Sequence, residues 1–131
     1  MTTPVPTVGV TEAFELLRSG APFIDVREPD EFAQVHAVGA RLVPLNTIPE
    51  HLDDLAENRL EDSEQPPVYL ICLSGGRSHA AAAWLISQGV NAVNIAGGTQ
   101  AWIAAQLPIG SGSVGPGAEV SSTASDTSET E

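Results

Sequence analysis

Cys72 is the single cysteine of a 131-residue chain, and the residues that follow it are of kinds that change what a thiol can do. In "CLSGGRS" (72–78), Gly75 and Gly76 permit the backbone angles and close approach of a tight loop. The amides of Leu73, Ser74 and their neighbours can then turn inward as an anion-binding nest, to which the start of a helix adds its positive end. Arg77 offers a fixed cation to an oxyanion or to the sulfur itself. Ser78 can cap the helix or donate to the same anion. Such surroundings stabilise the thiolate, lower the thiol pKa and create a nucleophile. A cysteine that only fills space in a core needs none of them.

A reactive loop needs elements that aim it. "VYLI" (68–71) is apolar and β-prone, so a buried strand leads into Cys72, and an alanine-rich helix runs from near Arg77 to Gln88, with Gly89 as its stop. Upstream, Val8–Val10 reads as a small edge strand and "TEAFELLRSG" as a helix capped by Thr11 and ended by Gly20. "PFIDV" (22–26) is a short buried strand, Pro29 opens a short helix, and Gly39 marks a turn. "RLVPL" (41–45) predicts a strand, and residues 46–60 a helix with Pro49 in its first turn and Leu52 and Leu55 on one face. Residues 61–67 form an acidic loop. "NAVNIAGG" makes the last strand and turn, and "TQAWIAAQL" the last helix, ended by Pro108.

From Gly110 onward the residues are mostly Gly, Ser, Thr, Glu and Pro. Such a segment cannot bury enough surface to offset its ordering entropy, which predicts a folded domain over 1–109 and a disordered tail over 110–131. Strands alternating with helices predict an α/β domain with a mainly parallel sheet of about five strands and helices on both faces. Ligands of such sheets bind beyond the carboxyl ends of the strands, where Cys72 lies.

Composition removes several function classes. Seventeen acidic residues against five arginines and no lysine give a formal net charge of −12, so there is no basic patch for nucleic acid. No apolar run approaches the roughly 20 residues of a membrane span. The N-terminus shows neither the basic segment nor the apolar stretch of a secretory signal, so a cytoplasmic location is expected. One cysteine excludes a dithiol redox pair within the chain and a cysteine-rich zinc site. The acidic cluster from Glu50 to Glu64 reads as a solvated face.

Four ordered stretches carry a resemblance. "CLSGGRS" is similar to the C-x-x-G-x-R-S active-site loop of rhodanese-like sulfurtransferases. "FIDVREPDEF" (23–32), "VHAVGARLVPL" (35–45) and "NIAGGTQAW" (94–102) resemble three further segments of that family in order and spacing. The likeness runs from about Val8 to Ile109. It implies that Cys72 attacks the outer sulfur of a donor such as thiosulfate and becomes a persulfide, held by the loop Leu73, Ser74, Gly75, Gly76, Arg77 and Ser78. The sulfur would then pass to cyanide, a thiol or a protein acceptor, with no metal or organic cofactor. Related phosphatases enclose five residues between cysteine and arginine; here there are four, which suits a single sulfur better than a phosphate.

The resemblance also implies that Asp25 braces neighbouring loops by hydrogen bonding. Arg27 would pair with Glu28 or Glu31 or face the pocket, His36 would anchor a turn through its ring, and His79 would face solvent or the pocket rim. Trp84 and Trp102 are expected in the core. Two features depart from the family pattern. Leu73 stands where a basic residue is common, and Val35 and Ala37 flank His36 where glycine and isoleucine are common. Loss of the cation predicts a weak hold on a small dianion such as thiosulfate. Two other readings share the fold: a non-catalytic partner-binding module, and a relay fed by a cysteine desulfurase.

Overall fold

The computed structural model describes residues 4–55 and 67–112. In chain order its elements are β1 (Thr7–Val8), α1 (Val10–Arg18), β2 (Phe23–Asp25), α2 (Pro29–Gln34), β3 (His36–Ala37) and β4 (Arg41–Leu42). A 3-10 helix (Leu45–His51) then runs into α3 (Leu52–Leu55). After it come β5 (Val68–Ile71), α4 (Gly76–Ser87), β6 (Ala92–Ile95), α5 (Gly98–Ala104) and β7 (Ile109–Gly110). The five strands of the main sheet lie in the order β1-β6-β5-β2-β4, and every pairing is parallel. The expected parallel α/β architecture is therefore the one observed.

Alternation along the strands separates two cores, because successive side chains leave opposite faces of a sheet. Ile24, Val68, Leu70, Cys72 and Ala92 join Leu55, Ala81, Ala82 and Leu85 on the face covered by α3 and α4. Phe23, Tyr69, Ile71, Val93 and Ile95 join Val10, Ala13 and Trp102 on the face covered by α1 and α5. β5, the central strand, is buried at all four positions. Such a strand reads as a continuous apolar run, and its carboxyl end places Cys72 on the α4 side.

Several boundaries differ from the sequence expectation. The edge strand stops at Val8, and Gly9, not Thr11, precedes the first helical residue of α1, with its carbonyl accepting from the Ala13 amide at 3.0 Å. Val10 is thereby buried by a helix and not by a strand. β4 is only two residues long; Val43 and Leu45 still donate to Asp25 and Val26, but Pro44 between them has no N–H to give. The helix expected over 46–60 begins as 3-10 turns, since Pro49 cannot donate to a carbonyl four residues back. Its end, residues 56–60, and most of the acidic loop lie outside the described residues, as does the tail beyond Gly112.

Past α5 the chain continues in regular structure. β7 pairs antiparallel with β3, His36 opposite Gly110 and Ala37 opposite Ile109, and the Gly112 amide donates to Ala33 at 2.7 Å. A boundary after Ile109 thus falls inside a strand. Trp102 is fully buried, with Phe14 edge-on to its ring and Phe23 tilted against it; its indole N–H donates to the Pro108 carbonyl at 2.7 Å. Trp84, expected in the core, is instead 37% exposed. It sits on the outer face of α4, in a shallow groove with Leu45, Ile48 and Ala80. No helix among the described residues is long and apolar enough to cross a membrane.

Candidate active site

The loop after β5 curls over the Cys72 sulfur. Gly75 takes φ +113°, a left-handed conformation that side-chain-bearing residues rarely adopt, and its amide donates to Sγ at 3.1 Å. Two residues into α4, the Ser78 hydroxyl lies 3.3 Å from the same sulfur. Cys72 is 1% exposed, whereas Leu73, Ser74, Gly76 and His79 around it are exposed. Burial by itself pushes a thiol pKa up. Here the Ser78 hydroxyl and the amides of Ser78, Gly75 and Ser74 outweigh burial, and the thiol lies below its ordinary value.

The loop is held from behind by α5. The Thr99 amide and hydroxyl both donate to the Cys72 carbonyl, at 2.8 and 3.1 Å, and the Gln100 amide donates to that of Leu73 at 3.1 Å. Gly98 makes this approach possible. A Cβ at Gly98 would run into the Cys72 carbonyl oxygen and lie 2.6 Å from the Leu73 carbonyl carbon and oxygen, and its φ is +57°. The second glycine of "NIAGGTQAW" therefore serves the cysteine loop directly, while a Cβ at the first, Gly97, would meet Ala101 within α5.

Arg77 is not an unpaired cation. Its guanidinium makes a two-pronged contact with Glu31 of α2, at 2.9 and 3.0 Å. The same carboxylate accepts from the Glu28 amide at 2.9 Å. The bond from Arg77 lowers the Glu31 carboxyl to about 2, and Glu31 in turn holds Arg77 more firmly charged. Arg27 pairs with neither Glu28 nor Glu31. It turns back on Asp25, with Nε 3.0 Å and Nη2 2.9 Å from the carboxylate, and reaches the Val35 carbonyl at 2.7 Å. Both partners are buried, so the pair ties the end of β2 to the chain entering β3. Its position accounts for the early acidic-basic pair in "FIDVREPDEF" without any contact to the sulfur.

His36 stacks on Phe32 with ring centroids 3.7 Å apart, and its Nδ1 donates to the Phe32 carbonyl at 2.7 Å. Burial, more than that contact, sets its pKa, which lies below the usual histidine value. His79 is exposed. Asn94, absent from the sequence expectation, belongs to the site: 5% exposed on β6, it meets the Ser78 hydroxyl at 2.5 Å. The signal for it was a polar residue inside the otherwise apolar run "AVNI".

Comparison with known proteins identifies the family. The family model described as the rhodanese-like domain matches residues 10–105. The chain is similar to thiosulfate sulfurtransferase 16, chloroplastic, of Arabidopsis thaliana, with 35% identity over 111 residues, covering 78% of this chain and 90% of that protein. It is 36% identical over 87 residues to a sulfurtransferase of Allochromatium vinosum, covering 66% and 75%. Among solved structures, a rhodanese-like domain protein from Staphylococcus aureus superposes with a TM-score of 0.65 at 29% identity, covering 75% of this chain and 91% of that one. With a parallel sheet ending in a cysteine loop and a family match that runs from α1 through α5, the chain belongs to the rhodanese-like domain family.

Proposed function

We propose that this domain is a sulfurtransferase that carries sulfane sulfur as a persulfide on Cys72. The observation that carries the reading is the pair of donors on one sulfur, the Gly75 amide at 3.1 Å and the Ser78 hydroxyl at 3.3 Å. The Cys72 thiolate attacks the outer sulfur of thiosulfate, a new S–S bond forms, and sulfite leaves with the electron pair of the bond that breaks. The product is Cys–S–S⁻, and the total charge is unchanged. An acceptor such as cyanide then attacks the terminal sulfur, thiocyanate departs, and the thiolate is regenerated. Neither half needs a proton, a metal or an organic cofactor. Donors that hold a thiolate also stabilise the persulfide anion that replaces it.

In this reading Cys72 is the nucleophile. The loop Leu73, Ser74, Gly75, Gly76, Arg77 and Ser78 cradles the added sulfur, while Asp25, Arg27 and His36 hold the surrounding chain in place. The site of action is the cytoplasm, where thiols stay reduced. Mass spectrometry after thiosulfate treatment is expected to show one extra sulfur on the wild type, lost on adding cyanide and absent in Cys72→Ser. A wild type that gains no sulfur from any sulfane donor sinks the proposal.

Leu73 is 38% exposed, and Arg77 is neutralised by Glu31. Both weaken the attraction of a small dianion to a chain whose net charge is −12. These observations favour a second reading within the same chemistry, a protein-to-protein relay whose donor sulfur arrives on a desulfurase cysteine. A thiosulfate Michaelis constant above about 1 mM, beyond the usual enzyme range, is expected; a lower value counts against the relay. Persulfide uptake from a loaded desulfurase, set beside uptake from thiosulfate, separates the two. A non-catalytic binding role would require that Cys72→Ala complement as well as wild type.

A further inference from the structure

The Ser78 hydroxyl has one proton and three acceptors in reach: Cys72 Sγ at 3.3 Å, the Gly75 carbonyl at 3.3 Å and Asn94 Oδ1, the amide atom turned toward it in this structure, at 2.5 Å. Only one of them can receive it. Asn94 sits on β6 in register with Leu70 of β5, on the face that α4 covers, and is 5% exposed. Among the described residues, Ser78 is the only hydrogen-bonding partner of its side chain. A side-chain amide offers an acceptor at one end and a donor at the other, and turning it over exchanges them with almost no change of shape. With the oxygen toward Ser78, the amide takes the hydroxyl proton away from the sulfur. With the nitrogen toward Ser78, the amide donates to the hydroxyl oxygen, and the proton is released to Sγ. A negative sulfur favours the second arrangement, because a hydrogen bond to an ion is stronger than one between neutral groups.

We propose that Asn94 is a positioning residue: when the Cys72 sulfur is charged, its amide donates to Ser78 and directs the one hydroxyl proton onto that sulfur. Asn94 does not touch the reacting atoms and acts only through Ser78. The inference rests on the sulfurtransferase reading for its purpose, though not for its measurement. The charged groups about the loop are Arg77 with Glu31, from α4 and α2, and the buried Asp25–Arg27 pair after β2. Tyr69 on β5, His79 on α4 and the exposed Asp30 on α2 are the other titratable groups of those elements, and β6 and α5 contribute none. No charge on β6 therefore competes with the amide in setting the state of the thiol.

The experiment is a double-mutant cycle read by the pH dependence of iodoacetamide alkylation, which reports Cys72 alone because the chain has no other cysteine. Asn94→Leu, close in shape but unable to donate, is expected to raise the thiol pKa by about one unit, the scale of one hydrogen bond to an ion. In the Ser78→Ala background the same change is expected to move it by less than about 0.3 unit, since independent effects would simply add. Equal shifts in both backgrounds, or no shift in either, overturn the proposal. If the leucine variant does not fold, judged by near-ultraviolet circular dichroism, Asn94→Ala carries the same two expectations. Persulfide formation from thiosulfate by wild type is measured separately by mass. Its failure strikes the sulfurtransferase reading while leaving the alkylation cycle to decide the role of Asn94.

Discussion

At the scale of single residues, the chemistry depends on a competition at one sulfur. Burial opposes the thiolate, and four donors from Ser78, Gly75 and Ser74 overcome it. The sign is testable. An acid whose pKa is lowered becomes an anion at lower pH, so Cys72 alkylation is expected to reach its plateau at lower pH than that of a free cysteine in the same buffer. Ser78→Ala removes one donor, and the midpoint should climb by about one unit, with the alkylation rate at neutral pH falling in step. A Ser78→Ala profile superimposable on wild type would show that the hydroxyl does not act on the sulfur. Cys72, Gly75 and Ser78 were legible as a group because their types and spacing are confined to seven consecutive residues.

At the scale of elements, two long-range contacts keep the loop in shape. The first is the α2–α4 bridge between Glu31 and Arg77. Because the Glu31 carboxyl is held near 2 in the folded protein against an ordinary 4.5, its contribution to stability is fully present above about pH 4.5. It is lost as pH falls toward about 2. Thermal unfolding should therefore separate wild type from Glu31→Gln at pH 7, with the difference shrinking across that acid window. A constant difference from pH 7 to pH 2.5 would refute the ion pair as its source. Exposure of both partners keeps the effect modest. The second contact is the seating of α5 against the cysteine loop. Gly98→Ala forces a Cβ into the Cys72 and Leu73 carbonyls at a left-handed backbone position. A loss of at least ~2 kcal/mol in denaturant unfolding is expected, together with a lower alkylation rate as the loop shifts.

For the whole molecule, β7 is the last described element, and it closes the chain back onto β3. A chain ending at Pro108 loses the β3–β7 pairing and the Gly112–Ala33 bond, and its melting temperature is expected to fall by about 4 °C or more. Removing residues 113–131 is expected to leave melting temperature and sulfur transfer unchanged. If both truncations behave alike, β7 does not contribute to stability. β7 was invisible in the sequence: two residues, one of them glycine, present no periodicity, and only the antiparallel partner at His36–Ala37 makes them a strand. The same limit hid the 3-10 start of the 46–60 segment, where Pro49 removes a donor that an α-helical turn would use.

Sequence alone determined the alternation of apolar strands and helices, hence a parallel α/β sheet, and determined that a thiol would stand at a strand end among glycines and hydroxyls. Those are local properties, set by residue type and short spacing. Which groups meet across the chain was decided only by the tertiary structure. Glu31 and Arg77 lie 46 positions apart and Ser78 and Asn94 lie 16 apart. Parallel crossovers bring each pair together, and such contacts leave no period in the chain. The same packing turned Arg77 from a free cation into a paired one by bringing Glu31 beside it. It also sent Arg27 back to Asp25, where both are buried and each charge needs its opposite.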